Sequence, residues 1–187
     1  MGDKMKTENV KVYIVISQTG TILSRIIKLL TRKNYNHASI SLDKELNEMY
    51  SFGRLNSYNP FWGGFVHESI HYGTFKRFKN TDAIVLEIDA KLEDYELLHS
   101  LIKTIENDKD SYGFNIIGLA LCAFQYPFHK DKEYYCSEFV KDMLIKSNIV
   151  DQHELPLTIH PMDFLNLPHK NIYNGKLQNY EFQRTAV

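Results

Sequence analysis

Apolar and polar positions recur along the chain in patterns that predict both strands and helices. A nearly continuous run of β-branched and aromatic residues at 10–17 predicts a buried strand. Apolar residues at helical spacing predict amphipathic helices at 21–32 and 92–106. In the second helix, the residues predicted to face the core are Leu97, Leu98, Leu101, Ile102 and Ile105. These are the longest elements that the pattern indicates.

Shorter segments predict the remaining elements. Strands are expected at 37–42, 49–52, 65–71, 74–78 and 83–88, with a polar turn at 43–47 and a loop around Pro60, Gly63 and Gly64. A helix is expected at 114–124, and another begins at Cys136, because Phe139, Val140, Met143 and Leu144 follow at helical spacing. No repeat or linker interrupts the chain, so residues 1–187 are expected to form one α+β domain.

Composition narrows the class of protein. With 187 residues, 43% hydrophobic and 24% charged, the chain is typical of a globular domain with a sizeable core. A formal net charge of −1 gives no electrostatic reason to expect nucleic acid or an anionic membrane as a partner. The charged start, 1–6, does not resemble a signal peptide, and the apolar stretch 116–124 is too short to cross a bilayer. A cytoplasmic protein with reduced thiols is expected.

Cys136 is the strongest candidate for a reactive residue. At a helix start, unpaired N–H groups and the positive end of the helix dipole favour a thiolate over a thiol. The polar residues Ser137 and Glu138 follow it, which is typical of a junction between a strand and a helix. Most buried cysteines are only small hydrophobic residues. Cys122, which is surrounded by apolar neighbours in the sequence, is expected to be one of these.

His37 is the candidate general base. It begins the alternating run 37–42 and follows a polar turn at 33–36, which makes it accessible at a strand edge. An imidazole in that position could take the proton from Cys136 and later return it to a leaving amine.

The segment 67–71 reads His-Glu-Ser-Ile-His and matches the H-E-x-x-H pattern of zinc peptidases. In that class both histidines bind zinc from one helical turn while the glutamate activates water. The surrounding residues favour a strand here, since Gly63, Gly64 and Gly73 flank the segment and its apolar residues have poor helix propensity. A metal site is therefore not expected, although a zinc peptidase using His67, Glu68 and His71 remains an alternative.

Two short motifs are similar to those of a known superfamily of hydrolases. The early motif, 35–40, reads Tyr-Asn-His-Ala-Ser-Ile, and the late motif, 136–140, reads Cys-Ser-Glu-Phe-Val. In sequence and order they resemble the circularly permuted papain-like (NlpC-type) cysteine hydrolases. Within that superfamily, the motifs resemble those of the bacterial amidase branch, which is related to the lecithin retinol acyltransferase-like enzymes. Segments 49–54 and 158–164 also fit that branch, so the resemblance spans roughly residues 10–165.

The resemblance implies a fold and a reaction. It implies an antiparallel sheet packed against helices, with Cys136 as nucleophile and His37 as base. The enzyme would cleave an amide or ester bond of a small-molecule, peptide or acyl-amide substrate through a thioester, without a cofactor. The residue that orients the base would fall near Ser51, on the strand after the histidine. Glu68 or a backbone carbonyl remain alternatives for this role.

Other residues are candidates for contacts with the substrate. Gln18, at the end of the first strand, is a candidate for the second oxyanion donor beside the backbone N–H of Cys136. Arg54 could bind a substrate carboxylate with two hydrogen bonds, and Tyr135 is expected in the pocket wall. The aromatic and glycine-rich segment 52–65 that contains Arg54 is alternatively an ordinary packed loop. A binding module without catalytic activity on the same fold also remains an alternative.

Overall fold

The computed structural model describes residues 9–18, 35–56 and 59–180, except for the side chains of residues 54, 56 and 59–62. Its main feature is a six-stranded sheet, which contains β1 Asn9–Gln18, β2 His37–Ser41, β3 Met49–Asn56, β4 Asn59–Glu68, β5 Asp82–Lys91 and β8 Lys170–Lys176. These strands lie in the order β4-β3-β2-β1-β5-β8, and every neighbouring pair is antiparallel. A small parallel pair is formed by β6 Gly113–Phe114 and β7 Glu133–Tyr134.

Four α-helices lie among the described residues. They are α1 Gly73–Arg77, α2 Leu92–Asn107, α3 Ile116–Cys122 and α4 Cys136–Lys146. Short 3-10 helices lie at Lys109–Ser111, Pro161–Asn166 and Leu177–Asn179. Within the part of the chain that the structure describes, no helix is both long enough and apolar enough to cross a membrane. The six-stranded antiparallel sheet and these helices make the chain an α+β protein.

The two faces of the sheet carry different layers, because side chains alternate along each strand. One face forms the larger core with α2 and α4, where the Phe139 ring lies 5.1 Å from the Phe52 ring and 5.9 Å from the Phe65 ring, centre to centre. The opposite face packs against a smaller apolar cluster that includes Phe75 of α1 and Leu177. The alternate residues of β2, from His37 through Ser39 to Ser41, belong to this second face.

The long elements agree with the sequence predictions. β1, the strand at His37, β5, α2 and the helix that begins at Cys136 are confirmed. The prediction that Leu97 faces the core is wrong, since its side chain is 39% exposed while Leu98 and Ile102 are fully buried. Leu97 lies about 100° around the helix from Leu98, at the solvent side of the buried stripe that Leu98, Ile102 and Ile105 form. The predicted helix at 21–32 lies outside the described residues.

Two predictions around the glycines are wrong. Gly63 and Gly64 lie inside β4, where a loop was expected. The glycine at 63 permits close packing, because a Cβ atom there would lie only 2.8 Å from the Cβ of Phe114. The strand expected at 74–78 is instead the short helix α1, which begins after the bends at 70–72. Its one buried side chain is Phe75, which packs in the smaller apolar cluster on the second face of the sheet.

Candidate functional site

Cys136 occupies the first position of α4, directly after the short strand β7. Tyr135 provides the extended residue between them, with φ −97° and ψ 166°, and its backbone N–H donates to Glu138 Oε2 at 3.3 Å. This carboxylate fixes the first turn of the helix and complements its dipole. The Cys136 side chain is 5% exposed, and its Sγ lies 3.9 Å from the carbonyl oxygen of Asn36. The nucleophile candidate is thus held at the entry of β2.

His37 is the next residue along the chain and the first residue of β2. Antiparallel pairing with β1 places it opposite Ser17, and the backbone N–H of Asn36 donates to the Ser17 carbonyl at 3.2 Å. The imidazole lies near enough to the side chain of Cys136 for the two groups to interact electrostatically. A thiol from a helix start and an imidazole from a strand start therefore meet at one end of the sheet, although 99 positions separate them in the sequence.

Glu68 completes the group from the last position of β4. Its Oε1 and Oε2 lie 3.0 Å and 3.2 Å from His37 Nε2, and the two side chains are only 10% and 14% exposed. Register explains the approach, since Glu68 pairs with Met49 of β3, whose neighbour on β2 is Ser41. Cross-strand partners project from the same face, so Glu68 and His37 share the second face of the sheet.

Ser51 lies on this same face but does not contact the imidazole through a hydrogen bond. Its hydroxyl is fully buried and has no partner within hydrogen-bonding geometry among the described residues. It lies near enough to Glu68 to help stabilise the carboxylate. The sequence predicts Ser51 for the position beside the base, with Glu68 as an alternative. In the structure, Glu68 occupies that position.

Electrostatics couple the three side chains. Burial alone would lower the pKa of His37, but the charge of Glu68, the interaction with the Cys136 side chain and the hydrogen bond with Glu68 raise it to about 10. Burial would raise the pKa of Glu68, but the charge and hydrogen bond of His37 lower it below its usual value. At neutral pH the imidazole is therefore cationic and the carboxylate is anionic. The cationic imidazole is thus the charged group that adjoins the Cys136 side chain.

These shifts predict that the free energy of unfolding falls on both sides of neutral pH. His37 binds its proton more tightly when folded, so its contribution is complete below pH 6.5 and is lost as the pH rises towards about 10. The contribution of Glu68 is present above pH 4.5 and is lost as the pH falls through its lowered pKa. Urea unfolding at a series of pH values measures both limbs. Glu68→Gln should flatten the alkaline limb, and an unchanged limb would contradict the coupling.

The three residues expected to contact a substrate are placed differently. Gln18 ends β1 one residue after the partner of His37, and alternation directs its side chain to the face on which α4 packs. The Tyr135 ring is 4% exposed, and its hydroxyl interacts with Cys122 and the Ile159 backbone inside the core. The backbone of Arg54 pairs with Gly63, but its side chain lies outside the described part.

The H-E-x-x-H segment does not form a helical turn. His67 and Glu68 are consecutive strand residues and so project from opposite faces of β4, while His71 follows after a bend. His67 is exposed, with Nε2 2.8 Å from the Asn47 carbonyl, and Glu68 is bound to His37. Among the described residues, no group of three His, Cys, Asp or Glu side chains has the arrangement of a metal site.

A second cysteine–histidine contact was not anticipated from the sequence. Cys122 is buried as expected, but its Sγ lies 3.6 Å from His160 Nδ1 and 3.4 Å from the Ile159 carbonyl, to which the thiol donates. Ser137 donates to the same carbonyl at 2.9 Å. The segment before the Pro161–Asn166 helix is thus fastened to both α3 and α4. The only signal for this contact was the late 158–164 motif.

Comparisons of the chain with models of protein families, with curated proteins and with solved structures each give no significant match. The functional proposal therefore rests on the chemistry of the site.

Proposed function

We propose that the chain is a thiol-dependent hydrolase of the amidase or peptidase kind, on a permuted papain-like fold. The observation that carries the proposal is the convergence of Cys136, His37 and Glu68 from a helix start and two strands at one end of the sheet. Nucleophile, base and orienting carboxylate are each adjacent to the group they act on. The chain order, histidine before cysteine, is the order of the permuted hydrolases described above.

The reaction would proceed in two halves. The Cys136 thiolate attacks the carbonyl carbon of an amide or ester, and the imidazolium of His37 gives its proton to the leaving amine or alcohol. This leaves an acyl thioester on Cys136 and a neutral imidazole. A water molecule then gives a proton to His37 as its oxygen attacks the thioester, which releases the carboxylic acid and regenerates the thiolate–imidazolium pair. Glu68 keeps its charge throughout and orients the imidazole.

Each tetrahedral intermediate carries an oxyanion that needs hydrogen-bond donors. The backbone N–H of Cys136 is one of the unpaired donors at the start of α4 and is the first candidate. Gln18 is the second, because its position at the end of β1 and the direction of its side chain bring it to the face that carries α4.

The proposal predicts that an electrophile discriminates between the two free cysteines. Iodoacetamide at neutral pH should alkylate Cys136 well before Cys122, since an imidazolium adjoins the first and the second donates as a thiol to the Ile159 carbonyl. Peptide mapping by mass spectrometry measures both rates without knowledge of the substrate. His37→Ala should slow the labelling of Cys136 only. Equal or reversed labelling in the wild-type protein would remove Cys136 as the nucleophile.

A further inference from the structure

The second face of the sheet carries an unusual run of buried serines around the imidazole. Ser39 and Ser41 follow His37 at alternate positions of β2, and both are fully buried. Ser41 is satisfied away from the site, since its hydroxyl donates to the backbone carbonyl of Asp43 at 2.9 Å. Ser39 differs, because its hydroxyl lies between the two charged groups of the candidate site.

The contacts of Ser39 define a direction for its single hydroxyl hydrogen. Its Oγ donates to Glu68 Oε2 at 2.5 Å, and the same Oγ lies 3.3 Å from His37 Nε2. With its hydrogen committed to the carboxylate, Ser39 can only accept from Nε2. The other neighbours of Nε2 are the two oxygens of Glu68, which also accept. Nε2 therefore carries a hydrogen in both the neutral and the cationic imidazole.

We infer that Ser39 is a positioning residue that holds Glu68 in place and fixes the hydrogen of His37 on Nε2. The proton exchanged with Cys136 is consequently the one on Nδ1, the nitrogen that Glu68 and Ser39 do not bind. This inference deepens the proposed function, because it explains how one ring nitrogen is reserved for the nucleophile. It is independent of which acyl compound the site accepts.

The titratable groups that interact with His37 in the described chain are Glu68 from β4 and Cys136 from α4. α1 contributes the apolar ring of Phe75, whose centre lies 6.3 Å from that of the imidazole. The hydrogen bond from Ser39 is one of the causes that lower the pKa of Glu68. Loss of Ser39 would therefore weaken the anion that stabilises the imidazolium.

Ser39→Ala tests the inference with Ser41→Ala as a matched control on the same strand and face. The readout is the rate of Cys136 alkylation by iodoacetamide from pH 5 to 10, which needs no substrate. Ser39→Ala should slow labelling at neutral pH about tenfold, the effect of one lost charge-assisted hydrogen bond, and should move the alkaline limb to lower pH. Ser39→Thr, which keeps the hydroxyl, and Ser41→Ala should stay within about twofold of wild type. Equal profiles for Ser39→Ala and Ser41→Ala would overturn the inference.

A measurement on the unmodified protein covers the case in which Ser39→Ala does not fold. The ¹⁵N resonances of His37 above its pKa should identify Nε2 as the protonated nitrogen, and protonation of Nδ1 instead would refute the assignment.

The hydrolase proposal and the role of Ser39 can fail separately. If a hydrolysis assay shows no turnover while the alkylation profile and the ¹⁵N pattern are as expected, the hydrolase proposal fails and the role of Ser39 stands. If turnover is observed with protonated Nδ1, the role of Ser39 fails and the hydrolase stands.

Discussion

Cys136→Ala should reduce hydrolysis to the buffer background while the protein remains folded. No other described residue is placed to form the thioester, since Cys122 is buried against His160 and donates as a thiol to Ile159. Removal of a covalent nucleophile typically costs on the order of 10⁶ in kcat. The smaller side chain fits at a helix start, so the free energy of unfolding should fall by no more than about 2 kcal/mol.

The assay can begin with p-nitrophenyl esters and p-nitroanilides of short acyl and aminoacyl groups, because their products absorb visible light. Cys122→Ala is the matched control, since it removes the same atoms from an equally buried position and should keep activity within a few-fold. If Cys136→Ala retains turnover, the nucleophile is misassigned. If the wild-type protein hydrolyses no member of a broad panel and binds ligands as well as Cys136→Ala does, the fold serves recognition and not catalysis.

The parts of the fold that could be predicted from the sequence are those with a strong local signal. β1 is a long β-branched run, and α2 shows a regular apolar stripe. The start of α4 could be placed at Cys136 because a polar pair and a helical repeat follow directly. These elements are decided by neighbouring residues, and neighbouring residues are what a sequence pattern records.

β4 was harder to predict because tertiary packing overrides its local signals. Glycines at 63 and 64 favour a loop in isolation, but close contact with β6 makes a small residue necessary within a strand. With the strand misplaced, its last residue could not be located relative to β2. Glu68 is also the glutamate of the H-E-x-x-H string, a pattern that predicts a zinc site and not a partner for His37. Its proximity to His37 depends on the pairing of three strands, which no local pattern specifies.

A sequence-level signal for Glu68 existed, although it was weak. The residue is a carboxylate that directly follows a strand-prone run, Phe65 to His67. A buried carboxylate requires a partner. The sequence predicts Ser51 as the residue that orients the base, because it lies on the strand directly after His37, where the resembling families place a polar residue. The geometry instead gives Ser51 a place beside the carboxylate of Glu68.

Glu68→Gln should lower kcat/KM on the order of 10²- to 10³-fold, within the range for loss of a properly oriented general base. The substitution keeps the size of the side chain but removes the charge that holds the pKa of His37 near 10. The imidazole would then be largely neutral at pH 7, and the thiolate beside it would lose its counter-ion. The alkaline limb of the pH–rate profile should move to lower pH, and alkylation of Cys136 should slow in parallel.

Glu106→Gln is the matched control for this change. Glu106 also faces a histidine, with Oε1 4.0 Å from His67 Nδ1, and it pairs with Lys103 at 2.7 Å on the far side of β4 from the site. Its replacement should leave the rate within about twofold of wild type, as for most partly exposed ion pairs. Ser51→Ala completes the set and should reduce kcat/KM by about tenfold or less, since it only supports the carboxylate. If Ser51→Ala were as damaging as Glu68→Gln, the serine would be the residue that orients the base, and the contact between Glu68 and His37 would be structural.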